Sequence, residues 1–92
     1  MSEDIFIEYL LDKGFKEDIG YLFKQIGDNC IYCHFSVDYY KTIYKFNIKV
    51  INNRSFNGDN KEETYSDWVE FKSIIIIYLR EFRLKNILNK NG

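Results

Sequence analysis

The segment Trp68-Val69-Glu70-Phe71-Lys72-Ser73-Ile74-Ile75-Ile76-Ile77-Tyr78-Leu79 constrains the fold more than any other part of this chain. Its β-branched run, Ile74 to Ile77, favours a strand. Its spacing favours a helix. Trp68, Phe71, Ile75, Tyr78, Leu79 and Phe82 recur at i, i+3, i+4 and i+7, drawing one stripe of a 3.6-residue repeat. Polar residues, among them Glu70, Lys72, Ser73, Arg80, Glu81 and Arg83, fall between these positions. Charge order agrees: Glu62, Glu63, Asp67 and Glu70 gather at one end, and Arg80, Arg83, Lys85 and Lys90 at the other, as the helix dipole prefers. Thr64-Tyr65-Ser66-Asp67 fits a capping box, Ser66 is a second candidate cap, and Asn91-Gly92 offers a stop. These signals predict one long helix within residues 64–91.

Such a helix is too apolar for a single sheet to cover. Ile74, Ile76 and Ile77 spread around its circumference, and Leu84, Ile87 and Leu88 add a second apolar edge. The expected second cover is another copy of the chain or a different protein, with Ile76 and Ile77 as contact residues. The alternative is that one of these isoleucines packs beneath the N-terminal helix.

Upstream, Ser2 can cap a first helix through Ile5–Lys13, with Glu3 and Asp4 in its first turn. Gly14 then occupies the place of a left-handed C′ residue, and Phe15 can fold back on Leu10 as in a Schellman ending. Lys16-Glu17-Asp18 reads as a solvated connection. Three strand-like segments follow. Residues 20–26 end at the turn cluster Gly27-Asp28-Asn29. Residues 30–37 alternate, with Ile31, Cys33, Phe35 and Val37 on one face and Cys30, Tyr32, His34 and Ser36 on the other. In residues 43–51, Tyr44, Phe46, Ile48 and Val50 share a face. Asn52 to Glu63 reads as the main loop. The expected fold is a single α+β domain over residues 1–92, in the order α-β-β-β-α: a two-layer sandwich with the long C-terminal helix across a three-stranded antiparallel meander.

The 46% hydrophobic and 18% aromatic content argues for a filled core rather than disorder. A net charge of −1, from 13 basic and 14 acidic residues, argues against a strongly basic nucleic-acid binder and against an acidic DNA mimic. No apolar run approaches the roughly 20 residues that span a bilayer, so no membrane partner is expected. Met1-Ser2-Glu3-Asp4 is acidic where a secretory signal would be basic, which places the chain in the cytoplasm with both thiols free. The bias towards Ile, Lys, Asn, Phe and Tyr, without a proline, points to an A/T-rich bacterial or phage genome.

One motif carries pointed chemistry. Cys30-Ile31-Tyr32-Cys33-His34 matches C-x-x-C-H, the spacing used for covalent haem attachment, and also offers two thiolates and an imidazole to zinc. Its context opposes both readings. The motif sits inside a strand alternation that turns Cys33 away from Cys30 and His34, Met1 is the only methionine, and no second Cys or His cluster completes a zinc site. No cofactor or metal is therefore expected. With one histidine, no G-x-S-x-G and no P-loop, no catalytic residues are assigned and an enzyme is not expected.

Two binding readings remain. Tyr39 and Tyr40 in a turn and Phe56 in the long loop are placed as protein-contact anchors, together with Ile76 and Ile77. The wet sheet face, with Lys24, Tyr32, His34, Lys45, Asn47 and Lys49, and Arg54 beginning the loop, could instead hold single-stranded nucleic acid by stacking and charge. The leading expectation is a homodimeric, non-enzymatic protein that binds another protein. An accessory protein of a phage or mobile element, inhibiting a host defence complex, fits that description.

Overall fold

The computed structural model describes residues 1–52 and 60–91, with side chains up to Leu88. Helix α1 spans Glu3–Asp12. Ser2 is its N-cap, in extended conformation, with its hydroxyl accepting from the Ile5 amide at 3.4 Å. At the other end Gly14 takes φ +90°, a conformation that costs glycine little. The Phe15 amide donates to the Leu10 carbonyl and the Gly14 amide to the Leu11 carbonyl, both at 3.0 Å, which closes a Schellman motif. Phe15 and Leu10 are both buried in the core, as the C″–C3 contact of that motif requires.

Five strands follow: β1 Lys16–Asp18, β2 Tyr21–Ile26, β3 Asn29–Asp38, β4 Ile43–Asn52 and β5 Lys61–Tyr65. They form one antiparallel sheet in sequence order. The α+β architecture with helices on the sheet is as the sequence implies, but the meander has five strands rather than three. Lys16-Glu17-Asp18 is not a connection: it pairs with Tyr21–Phe23 across a turn in which the Asp18 carboxylate accepts from the Ile19 amide at 2.7 Å and from the Tyr21 hydroxyl at 3.0 Å. Residues 61–63 do not belong to a loop either. They open β5, which pairs with residues 46–50 of β4.

Helix α2 spans Trp68–Asn91. Because Thr64 and Tyr65 end β5, the expected capping box does not form there. Asp67 caps instead, its carboxylate accepting from the Glu70 amide at 3.3 Å and its carbonyl from the Phe71 amide at 2.9 Å. Of the expected stop at Asn91-Gly92, Asn91 ends α2 and Gly92 lies outside the described residues, as do the loop residues Arg54 and Phe56.

Both helices lie on the same face of the sheet. Phe6 of α1 meets Phe35, Phe46 and Phe71 at ring-centroid distances of 5.5, 6.0 and 5.5 Å, which ties α1, the sheet and α2 at one point. Tyr9 stacks edge-on against Trp68 at 5.3 Å, and its hydroxyl reaches the Lys72 carbonyl at 3.5 Å. Along α2 the buried residues are Phe71, Ile75, Tyr78, Leu79 and Phe82, the stripe that the 3.6-residue period draws. Among the described residues, no helix is long and apolar enough to cross a membrane.

The edge strand β5 is fastened to α2 through Glu63. Tyr65 donates its hydroxyl to the Glu63 carboxylate, and Tyr78 on the helix lies within reach of the same carboxylate. The hydrogen bond to Glu63, and then burial, hold the Tyr65 phenol above its ordinary value; for Tyr78 burial comes first and Glu63 second. Below about pH 10 both phenols are neutral whether the chain is folded or not, so this contribution is complete. Above it the unfolded chain ionises first, and stability falls as pH rises. Thermal melts stepped through the alkaline range should show this loss, and Tyr65→Phe should make the decline shallower. An equally steep decline in Tyr65→Phe would remove Tyr65 as its source.

Candidate binding surfaces

Three surfaces gather the residues that sequence reasoning singled out. The first is the tip of the β3–β4 hairpin. Asp38 ends β3, and its carboxylate accepts from the Tyr40 and Lys41 amides at 3.1 and 3.4 Å, an Asx turn that stiffens the loop. Thr42 closes the turn at φ +51°, a strained conformation for a β-branched residue. The result is to hold Tyr39, 88% exposed, and Tyr40, fully exposed, out in solvent. Below the tip, where the hairpin extends beside the N-terminus of α1, an open groove of about 350 Å³ is lined by Phe35, Val37, Tyr39 and Tyr44 together with the polar Ser2, Glu3 and Thr42. The groove was not visible in the sequence, because it depends on where α1 ends relative to the sheet.

The outer face of the sheet is the second surface. Cross-strand register places Tyr32 opposite Lys49 and Phe23, His34 opposite Asn47, and Lys45 opposite Ser36. Lys24 is not on this face; it pairs with Ile31 and shares the helix-covered side, close enough to Gly14 that an added methyl there would meet its ammonium. Tyr21, Phe23 and Tyr32 form an aromatic cluster with ring centroids 5.5 to 6.3 Å apart. Sequence reasoning had not placed Tyr21 and Phe23 in it, since the face they occupy follows only from their pairing with β3. Beside the cluster lies a shallow depression of about 440 Å³, lined by Tyr21, Tyr32, His34, Asn47, Lys49 and Ile51. Acidic groups border the same face: the Glu62 carboxylate accepts from the Asn47 side-chain Nδ2 at 3.3 Å, and Asp18 holds the Tyr21 hydroxyl.

The C-x-x-C-H residues are divided by the sheet. Cys33 is fully buried in the core beneath the helices, where burial pushes its thiol well above the ordinary range. Cys30 and His34 face the other way, as alternation requires. Cys30 is nonetheless buried, and its thiol is the first cause that raises the Tyr32 phenol, through a hydrogen bond. Two thiols on opposite faces cannot converge on one metal ion or one haem edge. Among the described residues, no three His, Cys, Asp or Glu side chains gather as a metal site.

The third surface is the side of α2 turned away from the sheet. Ile77 is 47% exposed, while Ile76 is half-buried. Val69, Leu84, Ile87 and Leu88 are all more exposed than Ile77. Phe82 is the last buried residue of α2 among the described side chains; past it Asn86 is half-buried beside Gly27, while Leu84, Ile87 and Leu88 stay exposed. No protein-family model matches the chain, and neither a curated protein nor a solved structure matches it.

Proposed function

We propose that this chain is a non-enzymatic protein-binding module, working in the host-cell cytoplasm as a homodimer. The observation that carries this reading is the hairpin tip: two tyrosines held in solvent by a braced turn, next to a groove of aromatic and polar side chains. Tyrosine supplies a large, rigid and amphipathic contact at low conformational cost, which is why it dominates binding hot spots. A tip ordered before binding also avoids much of the ordering penalty of association. The bias towards Ile, Lys, Asn, Phe and Tyr, residues with A/T-rich codons, supports an accessory protein of a phage or mobile element, acting as an inhibitor of a host defence complex.

A second reading has its own observation. The Tyr21–Phe23–Tyr32 cluster lies beside Lys49, with Lys45 on the same face, which suits stacking of single-stranded bases. The bordering carboxylates and the net charge of −1 weigh against it, because nucleic-acid affinity rests largely on phosphate neutralisation.

Photo-crosslinking separates the two. A photoreactive residue at position 40 should capture one protein from the native host, whereas one at Ile19, 94% exposed on another hairpin, should not. Tyr39→Ala with Tyr40→Ala should then weaken binding of that protein by roughly 30-fold or more, the equivalent of about 2 kcal/mol for a hot spot. Capture of nucleic acid alone, lost on Tyr32→Ala and with rising salt, would overturn the protein-binding reading.

A further inference from the structure

The outward side of α2 carries a second periodic pattern, distinct from the core stripe. Ile74, Ile77, Glu81, Leu84 and Leu88 follow one another at intervals of three, four, three and four residues. That 3.5-residue average is the spacing of a helix–helix seam. Ile74 is half-buried against the core, but Ile77, Leu84 and Leu88 are exposed. Past Phe82, the last core residue of α2 among the described side chains, Asn86 still rests against Gly27 of the β2–β3 turn, but Leu84 and Leu88 on the seam are left in water. Helical propensity alone holds such end turns weakly, since most helical stability in proteins comes from tertiary packing.

We propose that a second copy of this chain covers the seam, the two α2 helices packing antiparallel about a two-fold axis close to Phe82 and Arg83. This rests on reading α2 as an interaction face, and it assigns the partner, direction and register. An isologous pair needs a self-complementary patch. In the antiparallel arrangement Ile77 of one copy lies beside Leu88 of the other, Glu81 beside Leu84, and both relations repeat by symmetry. Flanking charge fits as well. Glu81, at the margin of the seam, and Lys85 next to it line a cleft towards Asn52 and Lys61 on that flank, and the axis sets this acidic–basic pair of each copy against the reversed pair of the other. A parallel pair would instead align the two helix dipoles and set each basic C-terminal half, with Arg80, Arg83 and Lys85, against its like.

The other route to self-association is guarded. Both edge strands carry charge along their length, Lys16-Glu17-Asp18 at one side and Lys61-Glu62-Glu63 at the other. Charged edges are the usual protection against strand-to-strand addition. The helical layer is left as the face on which a copy can dock, giving a sheet–helix–helix–sheet stack.

Sedimentation equilibrium tests the partner. The wild-type chain should run at twice its 11.1 kDa mass, and Leu84→Lys with Leu88→Lys should raise the dimer dissociation constant at least 100-fold. Because both residues are exposed, the circular dichroism spectrum of the variant should be that of a folded α+β domain; Leu84→Ala with Leu88→Ala is the milder check, with a smaller shift in the same direction. Direction is read by mixing Ile77→Cys chains with Leu88→Cys chains: mixed disulfides should dominate. A monomeric wild type, a dimer indifferent to both pairs of substitutions, or like-with-like disulfides would overturn the proposal. Capture of a protein through the hairpin tip would stand or fall separately, so the two readings can fail independently.

Discussion

Phe6→Ala should be the most damaging single truncation in this protein. The ring of Phe6 is fully buried and touches aromatic rings from both other parts of the core: Phe35 and Phe46 on the sheet, Trp68 and Phe71 on α2. Those neighbours contact one another, with Phe46 at 5.4 Å from Trp68 and 5.3 Å from Phe71, so they are braced and cannot collapse into the space. A Phe→Ala change in such a site costs about 3–5 kcal/mol, from lost transfer energy and from the cavity that remains. Against a total stability of about 5–15 kcal/mol this leaves little folded protein in reserve. A small domain loses about 4–8 °C per kcal/mol, so the melting temperature should fall by roughly 15–30 °C. Urea unfolding gives the cleaner number, with a lower midpoint at an unchanged slope. A loss under about 1 kcal/mol would mean that α1 is not docked as described.

The second large effect lies inside the isoleucine run, and it comes as a contrast. Ile75 is fully buried, whereas Ile77, two residues on, is 47% exposed on the opposite side of the helix. Ile75→Ala should cost about 2–5 kcal/mol. Ile77→Ala should cost about 0.5 kcal/mol or less within one chain, because about half of that residue stays in water and it is not part of the buried core. Concentration dependence then distinguishes fold from assembly. At high dilution only Ile75→Ala should destabilise the protein; where copies associate, Ile77→Ala should also lower the melting temperature. Equal losses at both positions under dilute conditions would contradict the helical phase of the segment.

That contrast also marks how far the sequence can be read. Composition makes the four isoleucines equivalent, and their β-branching argues for a strand. The positions of Trp68, Phe71, Tyr78, Leu79 and Phe82 resolve the matter, because only a helix brings these and Ile75 to one side. The Schellman ending of α1 was legible for a similar reason: Gly14 and Phe15 are local signals, and the hydrogen bonds that they make are local too. Strands β2, β3 and β4 were legible through alternation or turn residues.

The edge strands were not. Lys16-Glu17-Asp18 buries nothing, and Lys61–Tyr65 carries one aromatic residue among charges, so neither leaves an apolar pattern. Each is a strand because a neighbouring backbone presents unpaired groups to it, which is a property of the neighbour. The helix cap at Asp67 was misplaced for the same reason: β5 draws Thr64 and Tyr65 into the sheet, leaving Asp67 next to the first helical turn.

The candidate surfaces divide along this line. Tyr39 and Tyr40 could be named from the turn they occupy, since a short loop between two alternating strands leaves its tip in water. The aromatic cluster of Tyr21, Phe23 and Tyr32 could not, because a strand of known alternation still has two possible faces until its partner is known. The C-x-x-C-H motif was weakened by alternation alone and is dismantled by the sheet, which sets Cys33 in the core and His34 outside it. By itself, then, the sequence determined the periodicities: which residues of each helix and central strand share a side. Tertiary structure decided which side is covered, because burial depends on what another element brings to it, and it therefore decided that the seam through Ile77, Leu84 and Leu88 faces outward.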